Sequence, residues 1–131
     1  MDANVLLDVV TDDPVWVAWC LAALAKASLA GAIFVNDIAY AEISTRYATI
    51  EHLDEMLASA RIRIAAIPPS ALFLAGKAFL RYRRAGGVRT GVLPDFFIGA
   101  HAAIEGWPLL TRDARRYRTY FPTLRVIAPD P

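Results

Sequence analysis

Apolar positions along the chain alternate between long helical stretches and short runs that are apolar throughout. Helical periodicity predicts six helices, over residues 15–31, 37–48, 50–60, 68–87, 94–106 and 113–121. Short apolar runs between them predict strands at residues 32–35, 61–67, 108–111 and 124–128. Strands separated by helices in this way are typical of parallel βα units, so we expect an α/β fold with helices on both faces of one sheet.

The start of the chain predicts a truncated first strand. Only Met1 precedes Asp2, whereas a strand usually has about five residues. We expect either that codons upstream of Met1 are missing or that the neighbouring strands pair with a shortened first strand. No repeat or linker divides the sequence, so residues 1–131 are expected to form a single domain. The loosest stretch, residues 84–94, is predicted to be a mobile loop.

Composition changes this picture little but excludes some classes of protein. The chain is 56% apolar and 21% charged, which is typical of a globular fold and not of a disordered one. Residues 14–35 resemble a membrane span, but Lys26 lies near the middle of the stretch and acidic residues precede it, so a helix, a turn and a strand are the better interpretation. The single Cys20 allows no internal disulfide, which suits a reducing compartment. We therefore expect a cytoplasmic protein with no membrane association.

Charge is distributed unevenly along the chain. Residues 1–60 contain nine acidic and two basic residues, a net charge of −7, while residues 61–131 contain twelve basic and four acidic residues, a net charge of +8. Arginines cluster in two short stretches, residues 81–89 and residues 112–118. A basic rim beside an acidic centre would attract a polyanion. The same arginines are also what ordinary solvated helix faces would contain.

Several acidic and polar residues are predicted at the carboxyl ends of the strands, where ligands of parallel α/β sheets bind. Asp2 and Asn4 leave the first short strand, and Asp113 follows a later strand by two residues. Asp95 lies in the first turn of a predicted helix, and Glu42 lies one turn into another. Each also has an ordinary explanation as a helix-start residue or as a surface ion-pair partner. Their joint placement is what suggests a site.

Four motifs follow one another along the chain, and they are "DANVLLD", "AYAEI", "LPDFFIGAHA" and "LLTRDARRYRTYFP". In this order they resemble the acidic motifs of the PIN domain, and specifically of the VapC toxins of bacterial toxin–antitoxin pairs. The resemblance implies a three-layer α/β/α fold with a mostly parallel sheet, and a metal-dependent endoribonuclease. It also implies an acidic quartet with two polar companions, which in this sequence are Asp2, Glu42, Asp95 and Asp113, with Asn4 and Thr111.

The chemistry implied by that resemblance agrees with what clustered carboxylates do. Like charges raise one another's pKa unless a cation compensates them, and oxygen-only ligands suit Mg²⁺ or Mn²⁺. Such a cation can activate a water and neutralise charge on a phosphodiester. We assign Asp2, Asp95 and Asp113 to the metal cage and Glu42 to orienting water or a second ion. Asn4 and Thr111 are expected to hydrogen-bond the carboxylates or the phosphate, and the two histidines, His52 and His101, are interpreted as structural or solvated.

Partners follow from the same resemblance. The family's antitoxins wrap the toxin and often place a basic side chain in the acidic crevice. Residues 15–24 are apolar around most of the helix, so this helix is predicted either to contribute to a homodimer or antitoxin interface or to be wholly buried in the monomer. Arg112, Arg115 and Arg116 are predicted to bind RNA or the antitoxin because they begin the helix nearest the crevice.

Three other functions compete with a ribonuclease. A haloacid-dehalogenase-like phosphatase needs a second aspartate two residues after the first, and that position is Asn4. A phospho-receiver domain needs an acidic acceptor after its third strand, and residues 61–70 contain no acid. A non-catalytic RNA- or protein-binding module on the same fold stays open at this point.

Overall fold

The computed structural model describes residues 1–88 and 91–130. Within these ranges the chain forms seven helices and four strands in the order α1 (Ala3–Val10), α2 (Val17–Ala30), β1 (Ile33–Asn36), α3 (Asp37–Ser44), α4 (Ile50–Ser59), β2 (Ile62–Ala65), α5 (Pro69–Arg84), α6 (Leu93–Glu105), β3 (Leu109–Leu110), α7 (Arg115–Tyr120) and β4 (Val126–Ile127). The predicted alternation of helices and short strands is therefore confirmed. The stretch predicted to be a mobile loop contains the end of α5 and the start of α6, and its residues 89 and 90 lie outside the described residues.

The strands form two parallel pairs. β1 pairs with β2 in the register Ile33 to Ile62, and β3 pairs with β4 in the register Leu109 to Val126. Parallel pairing connected by helices confirms the α/β class. The described residues do not form the single continuous sheet that the sequence suggested, because the two pairs are not hydrogen-bonded to each other as strands.

Residues 1 and 2 lie between the two strand pairs. The Met1 ammonium donates to the Phe34 carbonyl at 2.8 Å, and the Asp2 N–H donates to the Leu110 carbonyl at 2.9 Å. The structure has no strand before β1 in the described part of the chain, and helix α1, which the sequence analysis did not predict, begins immediately at Ala3. A two-residue extended segment places Asp2 at the start of that helix.

Local signals explain where several helices begin and end. The Asn36 side chain accepts from the Ala39 N–H at 3.0 Å and caps α3, directly after β1. Thr49 caps α4 in the same way by accepting from the His52 N–H at 3.2 Å. Such caps satisfy amide groups that have no partner within the helix. Helix α6 ends at Gly106, whose φ of 71° is the left-handed conformation that glycine adopts most easily.

The main core lies between β1 and helices α3 to α6, with Val35, Ile43, Leu53 and Phe96 almost fully buried. Around Phe96, aromatic rings from α5, α7 and the segment after α7 pack in edge-to-face or tilted arrangements, at centroid distances of 5.4 to 6.2 Å. This cluster fixes α7 against α6. It therefore positions two of the helices that carry candidate site residues.

Helix α2 contributes less to the core than its sequence suggested. Cys20 is its fully buried residue, while Leu21 is 51% and Leu29 is 90% exposed. Complete burial of this helix in the monomer is therefore wrong. In the described residues no helix is both long enough and apolar enough to cross a membrane.

Candidate active site

Asp2 is the best-connected acid of the candidate site. It is 6% exposed, and it caps α1 by accepting from the Asn4 N–H through Oδ1 at 3.3 Å. Its Oδ2 accepts from the Thr111 hydroxyl at 2.9 Å and from the Tyr117 hydroxyl at 2.7 Å. The carboxylate is thus held by donors from α1, from α7 and from the segment after β3.

Asn4 and Thr111 join helix α1 to the segment that follows β3. The Asn4 side-chain amide donates to Thr111 Oγ1 at 3.3 Å, and its Oδ1 accepts from the Arg112 N–H at 3.2 Å. The fully buried Thr111 hydroxyl also accepts from the Asp113 N–H at 3.1 Å. Both side chains were predicted to support the carboxylates, and in the structure they fix the backbone beside Asp2.

Asp95 forms an ion pair across the site. Helix α6 begins two residues earlier, at Leu93, and places the Asp95 carboxylate so that its Oδ2 accepts from Arg116 Nη1 of α7 at 2.5 Å. Burial, together with the negative charge of Asp2, raises the pKa of Asp95 to about 6, although the Arg116 guanidinium lowers it. One arginine therefore does not fully compensate this acid.

Among the acids of the candidate site, Glu42 is the one whose negative charge is least compensated. It projects from α3, and its Oε1 is buried without a hydrogen-bond partner. Burial, followed by the charges of Asp2 and Asp95, raises the pKa of Glu42 to about 7. A buried carboxylate oxygen with no donor is costly unless the group is protonated or meets a cation.

The predicted quartet is thus brought together in part. The charges of Asp2 and Asp95 act on Glu42, and those of Asp2 and Asp113 act on Asp95, so all four belong to one electrostatic cluster. Asp113 is exposed, however, and α7 begins only at Arg115, so Asp113 lies just before the helix that it was predicted to start. It occupies the outer edge of the cluster.

The three predicted binding arginines have different surroundings. Arg112 Nε donates to the buried Asp8 carboxylate at 2.6 Å, and its guanidinium lies 5.5 Å from the centre of the Trp16 ring. Arg116 contacts Asp95 as described, whereas Arg115 is exposed. Two of the three are therefore engaged within the protein.

Sequence reasoning missed two residues of the site. Tyr117 is 2% exposed and donates to Asp2, and burial followed by the Asp2 charge raises its pKa well above the ordinary value, so the hydroxyl keeps its proton. Asp8 is 5% exposed and anchors Arg112. A buried tyrosine hydroxyl needs a polar partner, and the apolar face of the short helix around Tyr117 was the available signal.

The donor chemistry of the cluster fits a hard divalent cation, since it offers carboxylate oxygens, one of them buried without a partner. The positions of these side chains are less suited to holding a divalent cation. Among residues 1–88 and 91–130, no group of three or more histidine, cysteine, aspartate or glutamate side chains is placed to hold a metal ion. The acids fit a cation by charge and ligand type, and the Arg116 guanidinium already lies against one of them.

An apolar cavity of about 380 Å³ lies elsewhere, between the two strand pairs. Its walls include Met1, Phe34, Trp107 and Leu110, and none of the four acids contributes to them. Phe34 and Trp107 stack there with ring centroids 4.6 Å apart. The acidic cluster and this cavity are separate features of the molecule.

Comparison with known proteins identifies relatives of this arrangement. The model of the PIN domain family matches residues 1–122. A similar fold occurs in the crystal structure of VapBC2 from Rickettsia felis bound to a DNA fragment from its promoter, with a TM-score of 0.69 and 20% sequence identity, covering 98% of this chain and 96% of that one. A comparison with curated proteins finds no significant match.

Proposed function

The chain belongs to the PIN domain family, and from this membership and the acidic cluster we propose that it is a Mg²⁺- or Mn²⁺-dependent endoribonuclease and the toxin of a toxin–antitoxin pair. The substrate is RNA, whose phosphodiester bonds are hydrolysed. The acidic quartet of Asp2, Glu42, Asp95 and Asp113 would carry the reaction.

The observation that carries this proposal is that the charges of Glu42 and Asp95 are incompletely compensated within the protein. Burial and neighbouring negative charges raise the pKa of these two groups to about 7 and about 6, and Glu42 Oε1 has no hydrogen-bond partner. A fold gains nothing in stability from such an arrangement. Clusters of this kind are characteristic of functional sites, where a cation or substrate completes them.

The residues of the cluster would have different roles in the reaction. Glu42, Asp95 and Asp113 would hold the cation from three separate elements, with Asp2 presenting a carboxylate that α1, α7 and Thr111 keep fixed. When bound, the cation would supply an activated water and neutralise negative charge on the phosphodiester. Thr111 would hold the Asp2 carboxylate through its hydroxyl, and Asn4 would act indirectly, by holding the backbone of the segment after β3.

RNA would reach the cluster across the surface of α7. Arg115 is exposed on this helix, so its guanidinium group is free to meet solvent-exposed phosphates. Arg112 and Arg116 lie closer to the acids and are held in ion pairs. Phosphate contacts of this kind give binding that weakens as salt concentration rises.

The partner proteins would be an antitoxin and a second copy of the chain. Val15 precedes α2, and Leu21 and Leu29 lie within it; their side chains are 73%, 51% and 90% exposed. A surface helix of a monomeric protein usually exposes less apolar area than this to water. The related Rickettsia felis structure is of the complex VapBC2. The exposed apolar side chains support a protein interface at α2, and the VapBC2 complex supports an antitoxin as one partner.

The test is cleavage of single-stranded RNA carrying a fluorophore and a quencher, followed with Mg²⁺, with Mn²⁺ and with excess chelator. We expect cleavage only with a cation, and we expect Asp95→Asn to reduce it to background while circular dichroism shows a folded chain. Asp12→Asn is the matched control, because Asp12 is exposed in a left-handed turn that asparagine also tolerates. Full activity in chelator or in Asp95→Asn would refute the mechanism.

One observation favours the alternative of a non-catalytic RNA- or protein-binding module. The described residues have no group of three or more potential metal ligands placed to hold an ion. Such a module would bind the same RNA without cleaving it and would show no response to Mn²⁺. Isothermal titration of the free protein with Mn²⁺ therefore separates the two functions.

A further inference from the structure

Arg116 has an unusual position for a residue that was predicted to bind RNA or the antitoxin. Its Nη1 donates to Asp95 Oδ2 at 2.5 Å, and the two side chains are only 18% and 31% exposed. On its other side, the guanidinium carbon lies 5.9 Å from the centre of the Tyr82 ring of α5. The positive charge is thus held between an aromatic ring and a carboxylate of the acidic cluster.

The surroundings of this ion pair keep it in place. Tyr82 packs against Phe96 with ring centroids 5.6 Å apart, and Phe96 directly follows Asp95 on α6. Arg116 itself precedes Tyr117, whose hydroxyl donates to Asp2 at 2.7 Å. The backbone positions of both ion-pair partners are therefore fixed by packing, while the arginine side chain is long enough to adopt another rotamer.

The charge balance of the cluster gives this arginine its importance. Among the described residues, Arg116 is the one basic side chain that forms an ion pair with an acid of the quartet, and Glu42 Oε1 has no hydrogen-bond partner. A divalent cation bound to the same carboxylates would lie within a few ångströms of the guanidinium and would be repelled by it. Because the Arg116 and Asp95 side chains are only 18% and 31% exposed, charges beside them are weakly screened by water and salt.

We propose that Arg116 is the resident counter-ion of the acidic cluster, which occupies Asp95 in the cation-free protein and has to leave Asp95 when a divalent cation binds. The inference rests on the proposed function and adds a regulatory step to the same site. The released guanidinium would lie beside the crevice, where it could bind a phosphate group.

The experiment measures Mn²⁺ affinity by isothermal titration for the wild-type chain, for Arg116→Gln and for Arg118→Gln. Arg118 is the matched control, because it is an exposed arginine on the same short helix. We expect Arg116→Gln to bind Mn²⁺ about tenfold more tightly, as typical coupling between two competing ligands predicts, and Arg118→Gln to bind as the wild type does. Equal or weaker binding by Arg116→Gln would overturn the counter-ion role.

A second measurement needs no substitution and so does not depend on how a variant folds. In the wild-type chain labelled with ¹⁵N, the Arg116 Nε–H resonance should shift and exchange faster with water as diamagnetic Mg²⁺ is added, because the guanidinium loses its carboxylate partner. An unchanged resonance at saturating Mg²⁺ would also overturn the proposal. If neither the wild type nor Arg116→Gln binds any cation, the counter-ion role and the metal-dependent function fail together, whereas equal binding with intact RNA cleavage removes only the counter-ion role.

Discussion

Replacing Tyr117 with phenylalanine tests whether the buried hydrogen bonds to Asp2 hold the candidate site together. The substitution removes one oxygen atom and leaves the ring, so it creates almost no cavity in the core. What is lost is the bond from the Tyr117 hydroxyl to Asp2 Oδ2, 2.7 Å long and fully buried. Asp2 keeps its hydrogen bonds from the Thr111 hydroxyl and from the Asn4 N–H, so its carboxylate loses one of three donors and is not left without any.

The expected cost follows from the charge of the acceptor. A hydrogen bond to a charged group contributes about 2 kcal/mol, more than a bond between neutral groups. Because domains of this size are stable by about 10 kcal/mol, we expect Tyr117→Phe to lower the midpoint of urea unfolding clearly without changing the slope of the transition. Circular dichroism at neutral pH is sufficient to measure it, since the raised pKa of Tyr117 keeps the wild-type hydroxyl protonated there.

The chain contains a matched control for this experiment. The Tyr40 hydroxyl donates to Asp54 at 2.7 Å, so this bond is as long as that of Tyr117 but is exposed to solvent. Tyr40→Phe should leave the urea midpoint almost unchanged, because water replaces the lost donor. If the two substitutions lower stability equally, burial does not strengthen the Tyr117 bond, and the account of Asp2 as a carboxylate fixed by its donors is wrong.

Three further substitutions test other parts of the site. The pKa of Glu42 is about 7 in the folded chain and 4.5 ordinarily, so the folded state binds the extra proton and the free energy of unfolding should fall as pH rises between these values. Glu42→Gln should reduce this pH dependence in urea titrations without a cation, and an unchanged pH dependence would contradict the raised pKa. Asp8→Asn should cost about 2 kcal/mol, less than a fully buried pair because Arg112 is 33% exposed, and a neutral result would show that this ion pair is dispensable. Gly99→Ala would place a Cβ 2.6 Å from the Phe121 ring and should destabilise the chain by about 1–3 kcal/mol, whereas a stabilised variant would show that this ring moves freely.

The helices were the most predictable part of the fold, because their signals are local. Apolar periodicity with a proline near the start and a glycine at the end located α6, and capping side chains such as Asn36 and Thr49 stand where the structure begins α3 and α4. The acids could be assigned to one crevice because parallel strands bring their carboxyl ends to the same edge. The sequence alone therefore gave the class of fold and most members of the cluster.

The parts that failed depend on contacts between distant residues. Helix α1 was missed because the start of the chain was interpreted as a truncated strand, whereas the structure begins a helix directly at Ala3. The partners of Asp2 and Asp8 lie more than 100 residues away in the sequence, at Tyr117 and Arg112. No local pattern reports such pairs, and none reports the ion pair between Arg116 and Asp95.

The two halves of the acidic cluster differ in how their charge is compensated, and this difference determines where a cation would bind. Asp2 is buried and accepts three hydrogen bonds, from α1, from α7 and from the segment after β3, so its position is set before any ligand arrives. Glu42 has a buried oxygen without a donor, and Asp95 has one arginine and a raised pKa of about 6. Since a cation is stabilised most where negative charge is least compensated, we expect it to enter between Glu42 and Asp95. Substitutions around Asp2 should then act first on folding stability, and substitutions at Glu42, Asp95 or Arg116 should act first on cation affinity.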